Sequence, residues 1–168
     1  TIAPRDIAAE AQLWMEEIAL EQATTERPVS VIRASNVQGV PISGPPGNGL
    51  LHKWASEAPI GWVNVPGDGS DLKDFVHVQD LVECIMRVMA DPPPTRESIA
   101  IGSGKGIQLR DLAAIYNQMT GCEAEYGQNH DQEVFGIVDA SEVEMRLGFR
   151  PTLSLEEMIR ESFEASGH

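Results

Sequence analysis

From Asp6 to Ala23, the apolar residues Ile7, Ala11, Trp14 and Ile18 recur every three or four positions, with Glu10, Glu16, Glu17 and Glu21 between them. That spacing predicts an amphipathic helix. Thr24 to Pro28 break it, and the β-branched run Val29-Ser30-Val31-Ile32-Arg33 predicts a strand buried on both faces. Helix followed by buried strand is an α/β signature. From Gln38 to Gly49 there are four Gly and three Pro, an irregular loop of the kind that carries function.

Further along, the pattern predicts a short helix over Leu50 to Ala58, a strand over Gly61 to Pro66, a turn at Gly67-Asp68-Gly69-Ser70 and a strand over Phe75 to Val78. Asp80 is placed to cap a helix with Leu81, Ile85 and Val88 on one face, which Pro92-Pro93-Pro94 stops. Ser98 to Ile101 reads as a strand, Gly102 to Gly106 as a loop, Leu109, Leu112, Ile115 and Met119 as a helix face, and Glu123 to Tyr126 as a strand. Asp139 with Glu142, and Ser154 with Glu157, have capping-box spacing. The first of these helices ends near Gly148; the second buries Leu155, Met158, Ile159 and Phe163 and ends at Gly167.

Composition narrows the class. The chain has 168 residues, 42% of them hydrophobic, within the length of one globular domain of about 100 to 200 residues and too apolar for a disordered acidic chain. Its net charge of −14 is spread evenly, residues 1–91 and 92–168 each holding 13 acids and 6 bases. No basic arm exists, so nucleic-acid binding is disfavoured. Cys84 and Cys122 lie far apart with no CxxC spacing, which suggests reduced thiols rather than a zinc site or a disulfide. Without a run of about 18 apolar residues or a basic-plus-apolar leader pattern, the chain reads as cytoplasmic and not membrane-bound. It opens at Thr1 directly into a helical pattern, as a piece of something longer would.

Several motifs invite chemistry. Gly102-Ser103-Gly104-Lys105-Gly106 stands between a strand and a helix, but a P-loop lysine is followed by Ser or Thr, and the third glycine comes one residue early for a dinucleotide fingerprint. A plain strand-turn-helix connection is the better reading. His52, His77, His130 and His168 show no metal-ligand spacing, and His77 reads as a partly buried strand histidine. Three polar residues are less easily dismissed. Asn36 follows the buried strand where open α/β sheets place ligands, Asn48 lies in the Gly/Pro loop, and Lys73 is the one cation among Asp68, Asp71 and Asp74. A lysine there can meet a phosphate as a point charge, or simply pair with a neighbouring acid.

Taken in order, four blocks resemble the C-terminal half of an extended short-chain dehydrogenase/reductase, the NAD-dependent epimerase/dehydratase family acting on nucleotide sugars. They are Arg33-Ala34-Ser35-Asn36-Val37-Gln38-Gly39, Gly67-Asp68-Gly69 through Lys73-Asp74-Phe75-Val76-His77-Val78-Gln79-Asp80, Ile101-Gly102-Ser103-Gly104 with the helix after it, and Asp139-Ala140-Ser141 with Leu147-Gly148-Phe149-Arg150-Pro151. The resemblance implies the end of a Rossmann-type parallel sheet over residues 1–40 and, over 41–168, a small mixed α/β substrate-binding lobe with interleaved returns to the main domain.

It also implies roles. Ser35 borders the nicotinamide of NAD or NADP, while Asn36, Asn48, Lys73 and Asn129 contact the substrate. Lys73 stands where the family has a diphosphate-binding arginine, and Gln128, Asn129 and His130 replace a second one. Gln38 and Val40 replace the usual Tyr and Pro. The family's catalytic Tyr and Lys fall at Ile2 and Asp6, so no catalytic residue is assigned and the chain alone is not expected to turn over. The glycine-rich cofactor fingerprint falls upstream of Thr1. The helix over 6–23 is a candidate half of a homodimer contact. Two expectations follow: part of an NAD(P)-dependent epimerase, dehydratase or reductase using hydride transfer, or a non-catalytic module of the same descent that binds a ligand or protein.

Overall fold

A computed structural model describes residues 7–40, 49–128 and 136–167. Helix α1 spans Ile7–Glu21, strands β1 and β2 span Val29–Ala34 and Asn36–Gln38, and α2 spans Leu50–Glu57 with a 3-10 turn at Ala58–Ile60. Then come β3 (Trp62–Val65), β4 (Leu72–His77), α3 (Val78–Ala90), β5 (Arg96–Ile101), β6 (Gly106–Gln108), α4 (Leu109–Thr120), β7 (Glu123–Tyr126), α5 (Ala140–Leu147) and α6 (Leu155–Ala165). Parallel pairs join β1 to β5, β2 to β4 and β3 to β7, and β6 adds to β4 antiparallel. The fold is mixed α/β with parallel sheets, as the sequence predicts.

Strand β4 is the shared wall of the molecule. Because successive side chains leave a strand on opposite faces, Phe75 enters one core with Leu51, Trp54, Val63, Leu109, Leu112, Tyr116 and Ile159, while Val76 enters another with Cys84, Val88, Ile99, Ile101 and Val143. The first core fills the space between α2, α4 and α6. The second packs α3 and α5 against the β1–β5 pair, with Ile32 at its margin. Trp54 and Tyr116 meet edge to face at 5.3 Å between ring centres, the arrangement favoured by aromatic quadrupoles.

Helix ends follow local chemistry. Ser154 and Glu157 form the full reciprocal capping box of α6, and Asp139 accepts the Ser141 N–H at the start of α5. Gly121 and Gly148 close α4 and α5 with positive φ of 77° and 63°, where a side chain would be strained. Helix α3 corrects one expectation. Its cap is His77, whose ring accepts the Gln79 N–H. Asp80 is instead buried one turn inside, and its carboxylate accepts the Thr152 and Leu153 N–H groups. The helix therefore buries Asp80, Cys84 and Val88, and Ile85 turns outward.

Two further expectations are revised. β1 is half-buried over Val29 to Arg33 and exposed at Ala34 rather than enclosed on both faces, and among the described residues its only sheet partner is β5. The α1 stripe picked out by periodicity is open: Ile7, Trp14 and Ile18 are 84%, 60% and 61% exposed. The helix instead rests on its Ala9, Leu13, Glu16 and Leu20 side, with Glu16 bridging to Arg33 of β1 at 2.6 Å. Helix α1 carries apolar residues on two stripes, and the 3.6-residue period alone does not rank them.

Candidate functional site

The carboxyl ends of β1 and β5 lie side by side at Ala34 and Ile101, the location where parallel sheets present ligands. Ser35 leaves that edge with its N–H donating to the Ile101 carbonyl at 2.9 Å. Its hydroxyl is buried and has no hydrogen-bond partner among the described residues. Such an orphan costs about 1 to 3 kcal/mol unless a ligand or water satisfies it. One residue on, Asn36 begins β2 in register with Phe75, and its Nδ2 donates to the Asp74 carbonyl at 2.8 Å. That bond occupies Nδ2 as a donor, and Oδ1 is the side chain's acceptor. Lys73 precedes Asp74 on β4, half-buried and opposite Ile107. Ser35, Asn36 and Lys73 are thus brought to one region around β4. Asn48 and Asn129 lie outside the described residues.

Asp74 is the member of this region that sequence reasoning missed. Fully buried, it accepts from the Ser103 N–H at 2.9 Å and the Ser103 hydroxyl on one oxygen, and from the Gly104 and Val138 N–H groups at 3.2 and 3.1 Å on the other. Two amides of the Gly102 to Gly106 loop, those of Ser103 and Gly104, do converge on an anion, and that anion is the protein's own carboxylate. This explains why the loop is a connection and not a phosphate cradle, as its spacing predicts. Its last residue, Gly106, opens β6, which runs on to Gln108 against β4. The acidic run likewise changes character, since Asp71 and Asp74 are both buried rather than displayed.

Gln38, noted as a departure from the family's tyrosine, is buried and turns its Oε1 to the Leu51 N–H at 3.3 Å. It caps α2, whose own cap position is Gly49 with no side chain to offer. His77 is buried and wired on both nitrogens, so it is structural as expected. Tyr116 does not substitute for a catalytic tyrosine. Burial first, then the charges of Cys122 and Glu57, push its hydroxyl far above its ordinary pKa, the opposite of what proton transfer near neutral pH requires. Among the described residues no cluster of His, Cys, Asp and Glu could hold a metal ion, and no helix is long and apolar enough to cross a membrane.

The model of the NAD dependent epimerase/dehydratase family matches residues 2–102. The chain belongs to that family. GDP-L-fucose synthase 1 of Arabidopsis thaliana is 30% identical over 105 residues, covering 61% of this chain and 32% of that protein. dTDP-L-rhamnose 4-epimerase of Burkholderia thailandensis is 29% identical over 150 residues, 82% of this chain and 39% of that protein. Among solved structures, UDP-glucose 4-epimerase from Bifidobacterium longum, in complex with NAD+ and UDP, superposes with a TM-score of 0.79 at 20% identity, covering 97% of this chain and 55% of that one. The NAD dependent NDP-hexosamine 5,6-dehydratase TunA gives 0.80 at 23% identity, covering 97% and 54%. The chain spans about a third of these curated relatives and about half of these structures.

The residues present fit a family cofactor at one point. Ser35, with a buried hydroxyl in need of a partner at the carboxyl edge of a parallel strand pair, is the atom that could meet a bound nicotinamide.

Proposed function

We propose that this chain forms the C-terminal part of an NAD(P)-dependent epimerase, dehydratase or reductase acting on a nucleotide sugar or a related small molecule. Residues 1–40 complete a Rossmann-like domain, and 41–168 form the substrate lobe with interleaved returns. The second core, where α3, β5 and α5 surround the β1 edge, supports such returns. NAD or NADP, bound mainly by sequence upstream of this chain, supplies the hydride acceptor when bound. Ser35 borders it. Asn36, Asn48, Lys73 and Asn129 contact the substrate, Asn36 by accepting from a hydroxyl and Lys73 by meeting the diphosphate as a point charge. The exposed Ile7, Trp14 and Ile18 stripe supports a homodimer contact through the 6–23 helix, the net charge of −14 supports the absence of a nucleic-acid partner, and the two free cysteines support a cytoplasmic location.

The gathering of Ser35, Asn36 and Lys73 around β4 carries this reading. Its test uses the whole protein: NAD(H) and NADP(H) by fluorescence titration, and UDP- and GDP-sugars by calorimetry. One dinucleotide should bind, and Lys73→Ala should weaken nucleotide-sugar affinity roughly tenfold, about the worth of one charge-assisted hydrogen bond. Lys73→Arg, which restores a bidentate fork, should tighten it roughly threefold or more. Binding of a nucleotide sugar without either dinucleotide would favour the non-catalytic module instead. Binding of neither class sinks both readings.

A further inference from the structure

We infer that Asp74 is a positioning residue for the substrate side of the site: a buried clamp whose integrity sets nucleotide-sugar affinity through Asn36 and Lys73. The inference rests on the proposed substrate class. One residue ties three separate segments. Its carbonyl holds the Asn36 amide, its peptide neighbour is Lys73, and its carboxylate collects donors from the β5–β6 loop and from Val138. A carboxylate with no exposure and four donors is a fixed point, since each bond to a charged acceptor is stronger than a neutral one.

The surroundings are shaped to this anion. A Cβ on Gly102 would lie 2.5 Å from Asp74 Oδ2 and 2.8 Å from Val138 Cβ, and one on Gly106 would lie 2.5 Å from Ile137 Cδ1. These glycines let the 136–138 backbone and the loop close on the carboxylate from either side. β4 cannot then shift along its axis without breaking bonds to both segments, so Lys73 and Asn36 keep a fixed spacing. An ammonium lacking a planar fork depends on such placement more than a guanidinium would.

Asp74→Asn separates positioning from folding. Its Oδ1 can still serve Ser103, while its NH2 meets the Gly104 and Val138 N–H groups, donor against donor. In the whole protein, hydrogen exchange should accelerate at 103–104 and 136–138 while the two cores stay protected. UDP- or GDP-sugar affinity should fall roughly tenfold with NAD(P) affinity unchanged within about twofold. Gly102→Ala, which crowds the same oxygen, should reproduce the split, and adding Lys73→Ala to Asp74→Asn should cost little more than either alone. Lost protection with unchanged sugar affinity overturns the inference, as does equal weakening of both ligands, which marks a purely structural role. If the wild type binds no nucleotide sugar, the proposed function itself falls and this inference with it. A wild type that binds beside an indifferent Asp74→Asn removes this inference alone.

Discussion

His77 Nε2 lies 2.8 Å from Glu161 Oε2, while His77 Nδ1 accepts the Gln79 N–H at 3.1 Å. A nitrogen that accepts from an amide carries no proton, so the hydrogen sits on Nε2 and points at Glu161. One buried ring thereby starts α3 and fastens α6 to the end of β4.

This tautomer predicts an ordered series of stabilities. Glu161→Gln keeps an acceptor and should cost less than about 1 kcal/mol, whereas Glu161→Leu strands a buried donor and should cost about 1 to 3. His77→Ala loses the cap as well and should cost about 2 to 4. Urea unfolding of each variant checks the order. Equal costs for the Gln and Leu variants would mean that Nε2 donates no hydrogen bond to Glu161.

Acid should loosen the C-terminal helices first. The Ser154 backbone N–H and then its hydroxyl hold the Glu157 carboxylate below its usual 4.5, and Ser141 does the same for Asp139 against 3.8. A depressed carboxylate stabilises the fold fully above its unfolded pKa and loses that contribution as pH falls through the lower folded value. Stability measured from pH 7 to 3 should be flat above about 5 and then decline. The double variant Asp139→Asn with Glu157→Gln should flatten part of that decline. An unchanged slope would show that other acids set it.

Glycine substitutions should divide by surroundings. Gly61→Ala and Gly121→Ala meet open space but keep φ of 83° and 77°, so each should cost about 1 to 2 kcal/mol from backbone strain alone. At Gly102 the backbone is ordinary and the crowding decides. The cost should be about 1 to 3 kcal/mol of overpacking, read from thermal unfolding; a neutral Gly102→Ala would mean that the loop and Val138 part freely.

Both thiols should be silent in the native state. Cys84 and Cys122 are buried, and burial followed by the Glu97 charge pushes the Cys84 thiol up, away from the reactive thiolate. Thiol titration should find about zero reactive groups before unfolding and both after it. Fast native labelling of Cys84 would contradict its place in the second core.

What the sequence disclosed followed range. The α6 capping box is complete within four residues and was legible, as was β7, whose bounds match. β2 and β6 are three-residue strands that exist because β4 lies beside them, and no local pattern announces them. Asp74 was similarly hidden, because its donors stand 29 to 64 positions away. One signal was available: strand alternation puts Asp74 on the face of Val76, which predicts a buried acid that must find partners. The ordered family blocks single out Ser35, Asn36 and Lys73 as candidates, and the structure puts Asn36 on β2 and Lys73 on the neighbouring β4. The open stripe of α1 could not be foreseen, since amphipathicity says that a face is apolar and not what meets it.

The shared wall formed by β4 has a kinetic side. Phe75 and Val76 belong to different cores, and every sheet pair among the described residues joins segments distant in sequence, from Asp74 with Gly106 to Val29 with Arg96. Neither half can gain its packing until the central strand is seated, and seating it commits both. Loop closure over such separations precedes its reward, so folding should be slow and unfolding all-or-none, with no stage at which one half persists without the other.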